Sequence, residues 1–153
     1  MLPILYNSNY QIVQTQDHVM ILVEMVHDAR IIPIGKNHHS INFEKWMGDS
    51  VGYWEGDTLV VKTQNFHSQQ SFRGSSDQLV ITERFSLQNE GKIKYAFTLE
   101  DPLTYRQPWT GEIAMNRKLP GEHMYEYACH EGNYAFHGIM AGARRQELDQ
   151  AEL

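Results

Sequence analysis

From Leu79 to Glu100 the chain runs through two alternating stretches, LVITERFSL and KIKYAFTLE, separated by Asn89-Glu90-Gly91. In an extended strand successive side chains point to opposite faces, so period-two alternation writes one buried face and one wet face. Ile93, Tyr95, Phe97 and Leu99 fall on one face of the second stretch, and Leu79, Ile81, Glu83, Phe85 and Leu87 share one face of the first. No helix satisfies that pattern. The segment is predicted as an antiparallel hairpin that ends at Asp101-Pro102, because the residue before proline is pushed away from regular pairing geometry.

Weaker strand signals surround it. Tyr10–Thr15, His18–Met25 and Arg30–Ile34 form one group, with a His27-Asp28 turn and Pro33 near its end. Residues 50–54 and 58–64 flank Glu55-Gly56-Asp57, a turn suited to a short hairpin loop. Two further strands are expected near Trp109–Met115 and His123–Cys129, and residues 134–150 read as a polar surface helix. The expectation is an all-β domain spanning 1–153 with a short C-terminal helical tail. Seven to nine antiparallel strands must hide their edges. The first choice is a meander closing into a lipocalin-like β-barrel whose interior holds side chains or one small ligand. The alternative is a β-sandwich.

Composition narrows the partners. With 19 acidic and 13 basic residues in 153, the formal charge is −6. Nucleic acid and anionic membranes are therefore poor partners by expectation. The longest apolar run, Val19–Val23, is far too short to span a bilayer as a helix. The start, MLPILYNSNY, lacks the basic segment and long apolar run of an export signal. A trimmed chain would look the same, so the reading is cytoplasmic as given and exported or periplasmic if processed. Cys129 stands alone, which excludes an intramolecular disulfide.

The run WMGDSVGYWEGDTLVVKTQNF, Trp46–Phe66, resembles the signature of a large, uncharacterised family of environmental-bacterial proteins. YQIVQT, HDARIIPI, FRGSS, ERF, PWTGEI and YEYACHEGNY fit the same pattern in the same order, so the likeness covers roughly residues 6–145. It implies a bacterial protein and no particular chemistry. Relatives look to carry a Gly-Arg-Pro-type turn where this chain has Gly35-Lys36-Asn37-His38-His39, and an N-terminal extension, often with an export signal.

The candidate chemistry starts at Glu83. Alternation puts it on the core face, where a carboxylate must be neutralised, paired or hydrogen-bonded. As a functional group it is an interior acid/base; as a structural one it is half of a Glu–Arg pair, with Arg30, Arg73 or Arg106 as the cation. Glu24 interrupts an apolar strand, and His27 follows it. If Glu24 faces inward it joins Glu83 as a carboxylate pair, one acid and one base. The plainer reading is a surface Glu24–Arg30 ion pair.

His130, beside Cys129 and Glu131, is placed at a barrel mouth. Neighbours on a strand diverge, so a Cys129–His130 nucleophile is disfavoured. His38-His39 lack the spacing of a zinc site, and no metal or other cofactor is expected. The expected catalytic set is Glu83, Glu24, His27 and His130. Arg30 and Arg73 are expected to hold an anionic group, and Trp54, Tyr95, Trp109 and Tyr127 to line an apolar cavity. Residues 67–77, which hold Arg73, read as a polar flexible loop suited to a lid.

The expected function is a small-molecule-binding barrel, leaning toward an enzyme of the isomerase, lyase or hydrolase type acting on a small, partly apolar substrate. The alternatives are a non-catalytic ligand carrier and a homo-oligomeric interaction module. No phosphate loop, nucleophile elbow or His-Glu-x-x-His motif occurs, which argues against nucleotide enzymes and common hydrolases.

Overall fold

A computed structural model describes residues 8–38, 44–128 and 130–151. The chain forms two antiparallel sheets and one C-terminal helix. The first sheet is β1 (Tyr10–Gln14), β2 (His18–Val23) and β3 (Ala29–Pro33) in sequence order. The second is a meander of β4 (Asp49–Glu55), β5 (Thr58–Gln64), β6 (Val80–Asn89), β7 (Lys92–Glu100) and β8 (Trp109–Asn116). Between the sheets, Ile34 and Gly52 make a single parallel bridge, and the Gly35 amide donates to the Gly52 carbonyl at 2.8 Å.

The sheets share their apolar faces. Val19 and Ile21 of β2 and Ile32 of β3 pack with Leu59 and Val61 of β5. A second cluster, Phe66, Leu79, Tyr95, Phe97 and Leu99, fills the meander's other end, and Phe85 packs against both. Two glycines make this packing possible. Gly48 has φ +72°, and a Cβ there would lie 2.6 Å from Thr63 Cγ2. Gly111 faces Phe97 across the β7–β8 ladder, where a Cβ would come within 2.3 Å of the ring's Cζ. With that space open, the Phe97 ring lies flat enough to meet Trp109 edge-on at 5.9 Å.

The central hairpin forms as expected, and its register sets Glu83 opposite Phe97 and Phe85 opposite Tyr95. Two expectations need correction. Leu87 shares the core face by alternation, yet it is 65% exposed. The β5–β6 ladder stops at Thr58–Ser86, and the hairpin register shifts between Leu87 and Asn89, so β5 does not extend to cover that end. The strand expected at His123–Cys129 does not form over 123–128, and Cys129 lies outside the described residues, as does His39. One backbone donor there, the Tyr125 amide, goes to the Glu24 carboxylate at 3.0 Å instead of to a neighbouring strand.

The eight strands divide into two sheets, and no closed ring of hydrogen bonds joins them among the described residues. The helix, α1 (Tyr134–Ala151), forms where expected, but none of its residues is buried. No helix among the described residues is long and apolar enough to cross a membrane.

Candidate functional site

Glu83 sits in the middle of β6, paired with Val61 on one side and Phe97 on the other, and its side chain points between the sheets. Arg30 reaches it from β3 of the facing sheet. Its Nη1 and Nη2 donate to Glu83 Oε2 at 2.5 Å and Oε1 at 3.1 Å. The Tyr95 hydroxyl donates to Oε1 at 2.9 Å. Glu83 is 1% exposed and Arg30 7%. A fork-to-fork pair with a third donor is what a buried carboxylate needs to offset its desolvation.

Burial, and then the negative charge of Glu83, raise the Tyr95 pKa far above the ordinary phenol value, with Arg30 opposing. The hydroxyl therefore stays protonated and donating. Tyr10 lines the same spot, and burial followed by the Glu83 charge raises its pKa too. The void beside this cluster is only about 20 Å³, room for about one water and not for an organic substrate.

The other expected acid is elsewhere in the bonding. Glu24 is buried at the end of β2, where it accepts from the Asn9 side-chain amide and from the Tyr125 backbone amide. Arg30 thus bridges the two sheets to Glu83; the surface ion pair to Glu24 is not what the guanidinium makes. The expected Glu24–Glu83 carboxylate pair is likewise replaced by two carboxylates with separate partners.

His27 is exposed in the 3₁₀ turn Met25–His27, with φ +50°. His130 is exposed just before the helix. Arg73 is exposed, its guanidinium 5.8 Å from the Phe72 ring centre. Trp54 is 43% exposed on the rim of an open cleft, Trp109 packs edge-on against Phe97 and Tyr105, and Tyr127 is half-buried. Of the ten residues singled out by sequence, the structure brings Glu83, Arg30 and Tyr95 into direct contact.

The larger openings adjoin that cluster: Tyr10 and Met115 line both the small void and the larger cleft. Between β1 and the edge of β8 that pairs with no strand among the described residues runs a cleft of about 1070 Å³, walled by Ile12, Leu87, Ile93, Ile113 and Met115. A second opening of about 610 Å³ shares Ile12, Leu87 and Ile93 and extends to Trp54 and Leu59. Arg117 and Lys118, at the rim of the larger cleft, carried no signal in the sequence, because β8 ends and its chain turns just there.

A polar cluster that sequence reading passed over gives the Trp46–Phe66 motif its physical sense. Asp49 is buried, and its carboxylate meets His38 Nδ1 at 3.2 Å and Lys45 Nζ at 2.7 Å. Ser50 and Thr63 share a buried hydroxyl hydrogen bond of 2.9 Å across β4 and β5. His38 Nε2 is buried with no hydrogen-bond partner among the described residues. No group of three or more metal-binding side chains converges among the described residues. The motif is satisfied by folding needs: a left-handed glycine, an anchored aspartate and a cross-strand hydroxyl pair.

Asp101 anchors the loop after β7. It accepts from the Ser76 amide at 2.6 Å, the Ser76 hydroxyl at 2.8 Å and the Leu103 amide at 3.1 Å. Desolvation raises its pKa, but these hydrogen bonds together outweigh it, and the net value lies below the usual carboxylate value. A depressed folded-state pKa adds stability above the unfolded value and loses it as pH falls through the folded one. The expected result is that Asp101→Asn lowers the urea midpoint at pH 7 and that the gap from wild type narrows toward pH 3. A gap of constant size across that range would show that the carboxylate charge plays no part.

No family model, curated protein or solved structure matches the chain.

Proposed function

We propose that this protein binds a small, partly apolar organic molecule in the cleft between its two sheets, as a carrier. The observation that carries the reading is the cleft of about 1070 Å³ with its wall of Ile12, Leu87, Ile93, Ile113 and Met115. Polar and charged residues, among them Asn9, Gln11, Lys92 and Asn116, line the cleft beside that apolar wall, so it offers partners to both halves of a partly apolar molecule. The incompletely closed, lipocalin-like barrel is part of the same reading. Its support is that β1 and β8, the outer strands of the two sheets, line one cleft.

Carriage ranks ahead of acid–base catalysis on the state of Glu83. A carboxylate already held by a guanidinium fork and a phenol, beside space for one water, has to break buried charge-assisted bonds before it can take a substrate proton. The experiment is methyl NMR on the full chain titrated with small organic ligands of graded hydrophobicity. Ile12, Ile93, Ile113 and Met115 methyls are expected to shift together and saturably, with Ile32 unmoved. Shifts confined to α1, or none, overturn the reading. Turnover of a bound ligand that Glu83→Gln abolishes while affinity is kept replaces carriage with catalysis.

A further inference from the structure

The charge at the rim of that cleft narrows the class of ligand, and the inference rests on the cleft reading just given. Lys92 begins β7 directly opposite Asn116 of β8, and the Arg117 amide donates to the Gly91 carbonyl at 2.8 Å. Arg117 Nη1 donates to the Glu90 carbonyl at 3.5 Å, and Lys118 Nζ to the His123 carbonyl at 2.7 Å. All three cations line the cleft, and among the described residues none of them forms a salt bridge. The side-chain bonds of Arg117 and Lys118 go to neutral carbonyl oxygens.

Two carboxylates share the rim. Glu122 accepts from the Leu119 amide at 2.9 Å, and Glu90 stands at the β6–β7 turn. The local balance is therefore positive, in a chain whose formal charge is −6. Ile93, Ile113 and Met115 line the same cleft, on the strand ends that carry Lys92 and lead to Arg117.

We propose that the cleft takes a free, single-chain anionic amphiphile, with its carboxylate at Lys92, Arg117 and Lys118 and its hydrocarbon chain against Ile93, Ile113 and Met115. Charge complementarity selects the head group, because a partly desolvated cation beside an apolar wall rewards an anion and penalises a second cation. Burial of the chain supplies the bulk of the affinity.

Isothermal titration calorimetry of the full chain with dodecanoate, dodecanol and dodecyltrimethylammonium, below their aggregation concentrations, tests this. Dodecanoate is expected to bind at least about tenfold more tightly than the ammonium compound, with the difference shrinking as salt rises. Arg117→Ala/Lys118→Ala is expected to weaken dodecanoate about tenfold or more and to leave dodecanol unchanged.

Equal affinity for all three head groups overturns the inference while leaving the apolar cleft intact. Absence of binding by any of the three overturns both. Sedimentation of the protein with phosphatidylglycerol vesicles, without measurable uptake of free dodecanoate, would assign the cations to a lipid surface and also overturn it.

Discussion

Replacing Arg30 by methionine is expected to cost about 3–5 kcal/mol of folding free energy, the largest effect of any single substitution considered for this chain. The reason is asymmetry. Arg30 and Glu83 are both nearly inaccessible, and each is desolvated whether or not the other is present. Removing the guanidinium leaves a carboxylate between the sheets with one phenol as its remaining close donor. The stranded charge then destabilises the region around it. Removing all three polar groups is a different matter. Arg30→Met/Glu83→Leu/Tyr95→Phe deletes the charges and the stranded hydroxyl together, and its stability is expected to return to within about 1–2 kcal/mol of wild type or to exceed it. Guanidinium chloride unfolding at pH 7 measures both. If the single variant loses under about 1 kcal/mol, the pair is hydrated in solution and its role as an inter-sheet tie is wrong.

The second large effect belongs to Ile32. It has no exposed surface and contributes to the cluster that β2 and β3 form with β5. Ile32→Ala removes three buried carbons where the facing sheet limits collapse, and is expected to cost about 2–5 kcal/mol. Its neighbour supplies the control. Ile31 is 64% exposed on the opposite face of the same strand, and Ile31→Ala is expected to change stability by about 0.5 kcal/mol or less. Comparable losses at both positions in a denaturant titration would mean that the three-stranded sheet does not pack against the meander as described.

Much of this architecture was legible in advance, and the reason is local. Strand alternation is written in adjacent residues, so the hairpin over 79–100 and the inward face of Glu83 follow from the chain alone. Pairing across the molecule is not local. Arg30 and Glu83 are 53 positions apart, and nothing in the segments around Arg30, Arg73 or Arg106 says which arginine will face that carboxylate. Glu24 shows the same limit from the other side. The plainer reading sets it in a surface ion pair, yet it is buried, and one of its donors is a backbone amide 101 residues away, in a stretch whose sequence reads as a strand of its own. Leu87 failed for a simpler reason. Alternation states which way a side chain points and is silent on whether anything lies there to cover it.

The wholly exposed C-terminal helix has a consequence for cooperativity. Among the described residues, these eighteen with no buried side chain have backbone hydrogen bonds, helical propensity and one exposed i,i+4 pair, Arg145–Asp149, to hold them. An isolated helix of that length is near the margin of stability in water. Its opening breaks no contact in either apolar cluster, so its population is set independently of the sheets. The molecule therefore has two melting regimes. The paired sheets unfold as a unit, while the helix loses order gradually and without a midpoint of its own, so amide exchange reports two free energies from one chain.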